Sequence, residues 1–154
     1  MHILIVEDDY QQAELIENAL RQEPDFAPLT TERVSTESGF RAAFEGFAAR
    51  PPDVVIMDVM LRWADPAPGL DPPPPEIKKE GFHRAGLRNE RLLAADPRTR
   101  AVPVVLYTVL GGITAGGGGA HGASDSRRVH YLPKDSTLKP LVDTIRELVR
   151  GKVD

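Results

Sequence analysis

The sequence predicts an α/β domain, a parallel sheet doubly wound with helices on both faces. Two observations carry this. Strand-like and helix-like segments alternate about five times along the chain. The strand-like segments are mostly continuous apolar runs, as central parallel strands covered on both sides require. The length, 154 residues, suits one domain able to bury a core without staples.

Residues 2–6 form a short β-branched run ending at Glu7, Asp8 and Asp9. Over 11–21, Ala13, Ile16 and Leu20 recur at helical spacing, and Pro24 closes the element. Residues 26–35 read as a second strand. Phe40, Phe44, Phe47 and Ala48 form an i, i+4, i+7, i+8 stripe, so a second helix ends before Pro51 and Pro52. Residues 53–57 are a third strand with Asp58 at its carboxyl end. Segment 62–80 is rich in proline, with six of the chain's 14, and predicts an inserted loop. Helical spacing returns with Phe82, Ala85, Asn89, Leu92 and Leu93 and stops at Asp96-Pro97. Residues 102–107 are a fourth strand ending at Thr108. Segment 111–122 holds seven of the 13 glycines; it lacks the spacing of phosphate-binding loops and reads as a linker. Residues 129–132 are a fifth strand ending at Pro133-Lys134. Leu138, Leu141, Val142, Ile145, Leu148 and Val149 make the clearest amphipathic stripe, with Pro140 in the first turn, where its missing N–H costs little.

Composition narrows the function. The net charge of −4 and pI near 5.6 argue against nucleic acid or an anionic membrane as main partner. With no cysteine, disulfides, thiol catalysis and thiolate metal sites are excluded. The apolar runs are too short to span a bilayer and the start lacks signal-peptide shape, so a cytoplasmic location is expected. His2, His83, His121 and His130 are scattered without metal-ligand spacing.

In an open parallel sheet, ligands sit beyond the carboxyl ends of the strands. Glu7, Asp8 and Asp9 leave strand one there, Asp58 strand three, Thr108 strand four and Lys134 strand five. Crowded carboxylates repel unless a cation sits among them. An all-oxygen cluster without His or Cys suits Mg²⁺. A carboxylate can attack a phosphoryl group, while a lysine, a hydroxyl and the metal neutralise its oxygens. Each residue alone has an ordinary role: an N-cap acid, a turn aspartate, a strand-end hydroxyl, a solvated lysine. Their convergence on one rim points to a site.

Four blocks, Ile3-Leu4-Ile5-Val6-Glu7-Asp8-Asp9, Val54-Val55-Ile56-Met57-Asp58-Val59-Met60-Leu61, Val104-Val105-Leu106-Tyr107-Thr108 and Tyr131-Leu132-Pro133-Lys134, resemble the signatures of the response-regulator receiver family. They span essentially the whole chain in the family's order, apart from two insertions. The resemblance implies a five-stranded, flavodoxin-like sheet of order 2-1-3-4-5 and a single receiver domain over 1–154 with no output domain. It implies that Asp58 accepts phosphate from a sensor histidine kinase or a histidine phosphotransfer protein. Asp8, Asp58 and the Met60 carbonyl would hold Mg²⁺, with Glu7 helping through water. Lys134 would assist, and Thr108 and Tyr131 would switch a face read by a downstream protein. Such a chain catalyses only its own phosphorylation and dephosphorylation. Homodimerisation is open.

The chain departs from the family in several places. Arg62 replaces the usual proline four residues after the acceptor. Lys134-Asp135 replaces Lys-Pro, which predicts a trans path after strand five, because a cis bond before a non-proline costs about 3–4 kcal/mol. The glycine-rich stretch predicts degradation of the family's fourth helix. Segment 62–80, with the lone Trp63, is expected to form either a lid or partner-docking segment beside Asp58 or an inert disordered loop. Met60 and Leu110, two residues after Asp58 and Thr108, cannot orient water, which predicts a long-lived phosphoryl group. Two other readings compete: a pseudo-receiver, an interaction module that is not phosphorylated, and a haloacid-dehalogenase-type phosphotransferase. The latter expects Asp-x-Asp after strand one, where this chain has Glu7-Asp8-Asp9.

Overall fold

A computed structural model describes residues 1–109, 128–134 and 137–151. Five strands, β1 (His2–Val6), β2 (Thr30–Val34), β3 (Val54–Met57), β4 (Val104–Thr108) and β5 (Val129–Pro133), form one sheet of order β2-β1-β3-β4-β5. All four pairings are parallel. The helices are α1 (Tyr10–Arg21), α2 (Glu37–Ala49), α3 (Pro75–Glu80), α4 (Ala85–Ala95) and α5 (Lys139–Arg150). None is long and apolar enough to cross a membrane among the described residues.

The sheet divides the core in two because successive strand side chains point to opposite faces. Leu4, Val6, Val55, Met57, Val104 and Leu106 pack with Phe40, Phe47 and Leu93 of α2 and α4. Ile3, Ile5, Val54, Ile56, Val105 and Tyr107 pack with Ile16, Leu20, Leu141 and Ile145 of α1 and α5. β1 from Ile3 onward and all of β3 are therefore apolar and buried, whereas β2 at the edge is mostly exposed.

Two strands start more than one residue later than the sequence expectation. Phe26 lies outside β2, in a 3-10 turn over Pro24–Phe26. Pro28 has no N–H to give a ladder, so pairing starts at Thr30, opposite His2. Phe26 is nevertheless core, buried against the α1 and α5 side. β4 starts at Val104 rather than 102, since the Val102 N–H closes a turn on the Thr99 carbonyl at 2.9 Å. Segment 62–80 is also not all loop: its last six residues form α3, with Ile77 buried. Leu110, the glycine-rich 111–122 stretch with the expected loss of a helix, and the Asp135 bond lie outside the described residues.

Candidate functional site

β1, β3, β4 and β5 end at the same rim because their ladders run in parallel and nearly level. Val6 pairs with Met57, Met57 with Leu106, and Leu106 with Tyr131. The Asp58 N–H continues the ladder by donating to the Val6 carbonyl at 2.9 Å. The Lys134 N–H likewise donates to the Thr108 carbonyl at 2.9 Å. Together these bonds fix the roots of Asp58 and Lys134.

Their side chains meet. Lys134 Nζ donates to Asp58 Oδ2 at 2.7 Å and to Glu7 Oε2 at 2.6 Å. Glu7 is 5% and Asp58 6% exposed, so the ammonium is held between two largely desolvated carboxylates. Burial opposes its charge, but its bonds to Asp58 and Glu7 outweigh that and hold its pKa above the ordinary value of 10.5. Burial pushes Glu7 up from its ordinary 4.5 and the Asp58 charge adds to the rise, with Lys134 pulling back. The other Asp58 oxygen, Oδ1, accepts the Met60 N–H at 3.1 Å.

The three consecutive acids after β1 divide their work. Asp9 is the N-cap of α1, its Oδ1 accepting the Gln12 N–H at 3.0 Å. Glu7 Oε1 accepts the Asp9 N–H at 3.1 Å while its other oxygen faces Lys134. Asp8 is left to point toward Asp58. Glu7, Asp8 and Asp58 each offer an oxygen, all within 4.8 Å of one another. Magnesium binds oxygen at about 2.1 Å, which puts directly bound oxygens at most about 4.2 Å apart. The cluster therefore fits the ion after a small shift, or with one carboxylate held through water.

Thr108, 3% exposed, ends β4 beside this cluster. Tyr131, half-buried on β5, packs against the α2 and α4 side of the core. Burial raises its phenol above the ordinary value of 10.0.

Sequence reasoning missed three features of the rim. Arg62 is one: its Nε lies 3.5 Å from Asp8 Oδ2, its Nη2 3.3 Å from the Asp8 carbonyl. Gly86 is another. Its N–H donates to the Val59 carbonyl at 3.0 Å, and a Cβ there would stand 2.2 Å from the Asp58 carbonyl oxygen. A lone glycine inside a helical pattern was the available signal for such a close approach. The third is a buried ion pair, Arg88 to Glu37, with Nε–Oε1 at 2.8 Å and Nη2–Oε2 at 2.7 Å. Glu37 begins α2, and its N–H is capped by the Arg62 carbonyl at 3.0 Å.

No family model matches the sequence, and no curated protein matches it. Solved structures do. A signal receiver domain of two-component signal transduction (histidine kinase) from Clostridium thermocellum superposes with a TM-score of 0.64 at 16% identity, covering 97% of each chain. The chain has the receiver fold. The receiver domain of a sensor histidine kinase from Pseudomonas aeruginosa PAO1, with magnesium coordinated in its active site cleft, matches with a TM-score of 0.58 at 20% identity, over 97% of each chain. The Mn²⁺-bound response regulator Rcp1 matches with a TM-score of 0.57 at 18% identity, over 96% of this chain and 90% of that one. In the receiver fold the strand-end rim is where the carboxylate and lysine cluster lies here.

Proposed function

We propose that this chain is a response-regulator receiver that takes a phosphoryl group on Asp58 with Mg²⁺ and thereby changes what it binds. The observation that carries the reading is the Lys134 ammonium bridging Glu7 and Asp58, with Asp8 completing a three-carboxylate cluster. Glu7, Asp8, Asp58 and the Met60 carbonyl would hold the metal. When bound, the ion shields the carboxylates from one another and draws charge from the phosphoryl oxygens.

The donor is a phosphohistidine on a sensor kinase or phosphotransfer protein. An Asp58 carboxylate oxygen bonds to phosphorus as the phosphorus–nitrogen bond breaks, and the imidazole leaves with that electron pair. Lys134 already touches Asp58 Oδ2, so its ammonium is positioned to follow the charge onto a phosphoryl oxygen. The Met60 N–H holds Asp58 in one rotamer for this step. Thr108, at the adjoining strand end, is the hydroxyl that would turn to the phosphate. Tyr131, three residues before Lys134, would move with it and alter the face toward a downstream partner.

The Arg62 contact to Asp8 favours a second reading, an unphosphorylated interaction module in which that acid serves an ion pair. One measurement separates the two: incubation with acetyl phosphate and Mg²⁺, followed by intact mass. The phosphoacceptor reading expects a gain of one phosphate in the wild type and none in Asp58→Asn. No gain in either protein favours the interaction module.

A further inference from the structure

Arg62 stands four residues past Asp58, at the first position of segment 62–80. It converges on Asp8 in three ways. Its backbone N–H lies 3.4 Å from Asp8 Oδ2, its Nε 3.5 Å from the same oxygen, and its Nη2 3.3 Å from the Asp8 carbonyl oxygen. The guanidinium also lies 3.6 Å from Asp65 Oδ1. Lys134 compensates Glu7 and Asp58. Among the described ion pairs, Asp8 is compensated by Arg62. The carboxylate cluster is thus neutralised from two sides, by β5 and by the inserted segment.

The two cations are held differently. Lys134 is 12% exposed at the side chain, whereas Arg62 is 46% and Asp8 27% exposed. The Arg62 contacts are long and solvent-exposed, so they are weak and open to displacement. Its backbone is fixed: the Arg62 carbonyl accepts the Glu37 N–H at 3.0 Å and the Trp63 carbonyl accepts the Ser38 N–H at 2.8 Å. The guanidinium can therefore leave Asp8 without moving the segment.

We propose that Arg62 is a resident cation that competes with a divalent metal ion for Asp8 and so sets how tightly the site takes metal. The inference rests on the metal-binding reading given above. A guanidinium has no lone pair to offer a metal, and it repels a dication a few ångströms away. Metal entry must then either swing Arg62 aside or accept that repulsion. An exposed ion pair of this geometry, together with the relieved repulsion, corresponds to about three- to tenfold in metal affinity.

The test is a titration of wild type, Arg62→Ala and Arg62→Lys with Mn²⁺, following loss of the free-ion electron paramagnetic resonance signal. A second readout is the rise in melting temperature on adding Mg²⁺ to each metal-free protein, which reports linkage even where a variant begins less stable. Arg62→Ala is expected to bind about three- to tenfold more tightly and to gain more from Mg²⁺, with Arg62→Lys close to wild type. A merely structural role would leave metal affinity unmoved, since both backbone caps survive the substitutions. Equal or weaker binding by Arg62→Ala overturns the proposal alone. Arg62→Lys binding as tightly as Arg62→Ala also overturns it, because the charge would then not be the competitor. If no variant binds Mn²⁺, the metal-binding reading falls and this inference falls with it.

Discussion

Gly86 shows how one missing side chain can hold a site together. The first turn of α4 lies on the backbone that follows β3, close enough that a Cβ at 86 would meet the Asp58 carbonyl oxygen at 2.2 Å and Val59 Cα at 2.7 Å. Both are backbone atoms of a segment tied to β1 and α4 by hydrogen bonds, so neither can rotate away as a side-chain tip would. Gly86→Ala must push α4 outward or tilt the loop that carries Asp58. Overpacking of this kind costs about 1–3 kcal/mol, and urea unfolding is expected to show a loss at the upper end of that range. If the loop tilts, Asp58 leaves Lys134, and on the proposed phosphoacceptor reading phosphorylation by acetyl phosphate slows as well. Stability and rate both unchanged would mean that α4 docks more loosely than this geometry implies.

Between elements, the buried Glu37–Arg88 pair joins α2 to α4 beneath the inserted segment. Glu37 is fully buried and Arg88 6% exposed. Glu80 of α3 reaches the same guanidinium at 3.3 Å, and Arg41 of α2 reaches Glu37 at 3.3 Å. Hydrogen bonds donated to Glu37 hold the Arg88 charge despite burial, raising its pKa. Such a pair is weak evidence of net stabilisation, because both ions are taken out of water, but removing one partner strands the other. Arg88→Met is expected to cost about 3–5 kcal/mol in urea unfolding. Glu37→Leu with Arg88→Met should recover most of that loss, since an apolar pair needs no counter-charge. If the double variant is no more stable than the single one, the outer partners Glu80 and Arg41 matter more than the central pair. The contacts explain why segment 62–80 is not free chain: it caps α2 with two carbonyls at one end and meets Arg88 through Glu80 at the other.

At the scale of the whole molecule, what was legible in the sequence was whatever repeats. The apolar runs of β1, β3 and β4 and the stripes of α1, α2 and α5 set the fold, because burial on a sheet or helix leaves a period in the chain. The strand-end acids and Lys134 were legible because a parallel sheet delivers strand ends to one rim. The contacts of Arg62 and the Glu37–Arg88 pair were not, since each depends on residues many positions apart meeting across packed elements, which no local pattern records. Gly86 left only a lone glycine in a helical stretch, which does not say what it meets. The strand expected over 26–35 is shorter, Thr30–Val34, for a related reason: at a mostly exposed edge strand apolar content is sparse, and Pro28 rather than hydrophobicity sets its start. That edge is held to α1 by charge instead. Glu17 accepts from Thr31 Oγ1 at 2.7 Å and from Arg33 Nε at 2.6 Å, and it pairs with Arg21. The Thr31 hydroxyl first, then Arg21 and Arg33, hold its pKa at about 2 rather than 4.5. A carboxyl held below its unfolded value binds fewer protons when folded. Its contribution is therefore complete above about pH 4.5 and is lost as pH falls toward 2. Glu17→Gln should consequently lower the unfolding free energy most at pH 7, and the gap from wild type should narrow through pH 4 and 3. Urea unfolding followed by circular dichroism at those three pH values reads the gap directly. A gap constant with pH would mean that Glu17 holds the α1–β2 edge by packing and neutral hydrogen bonds rather than by its charge.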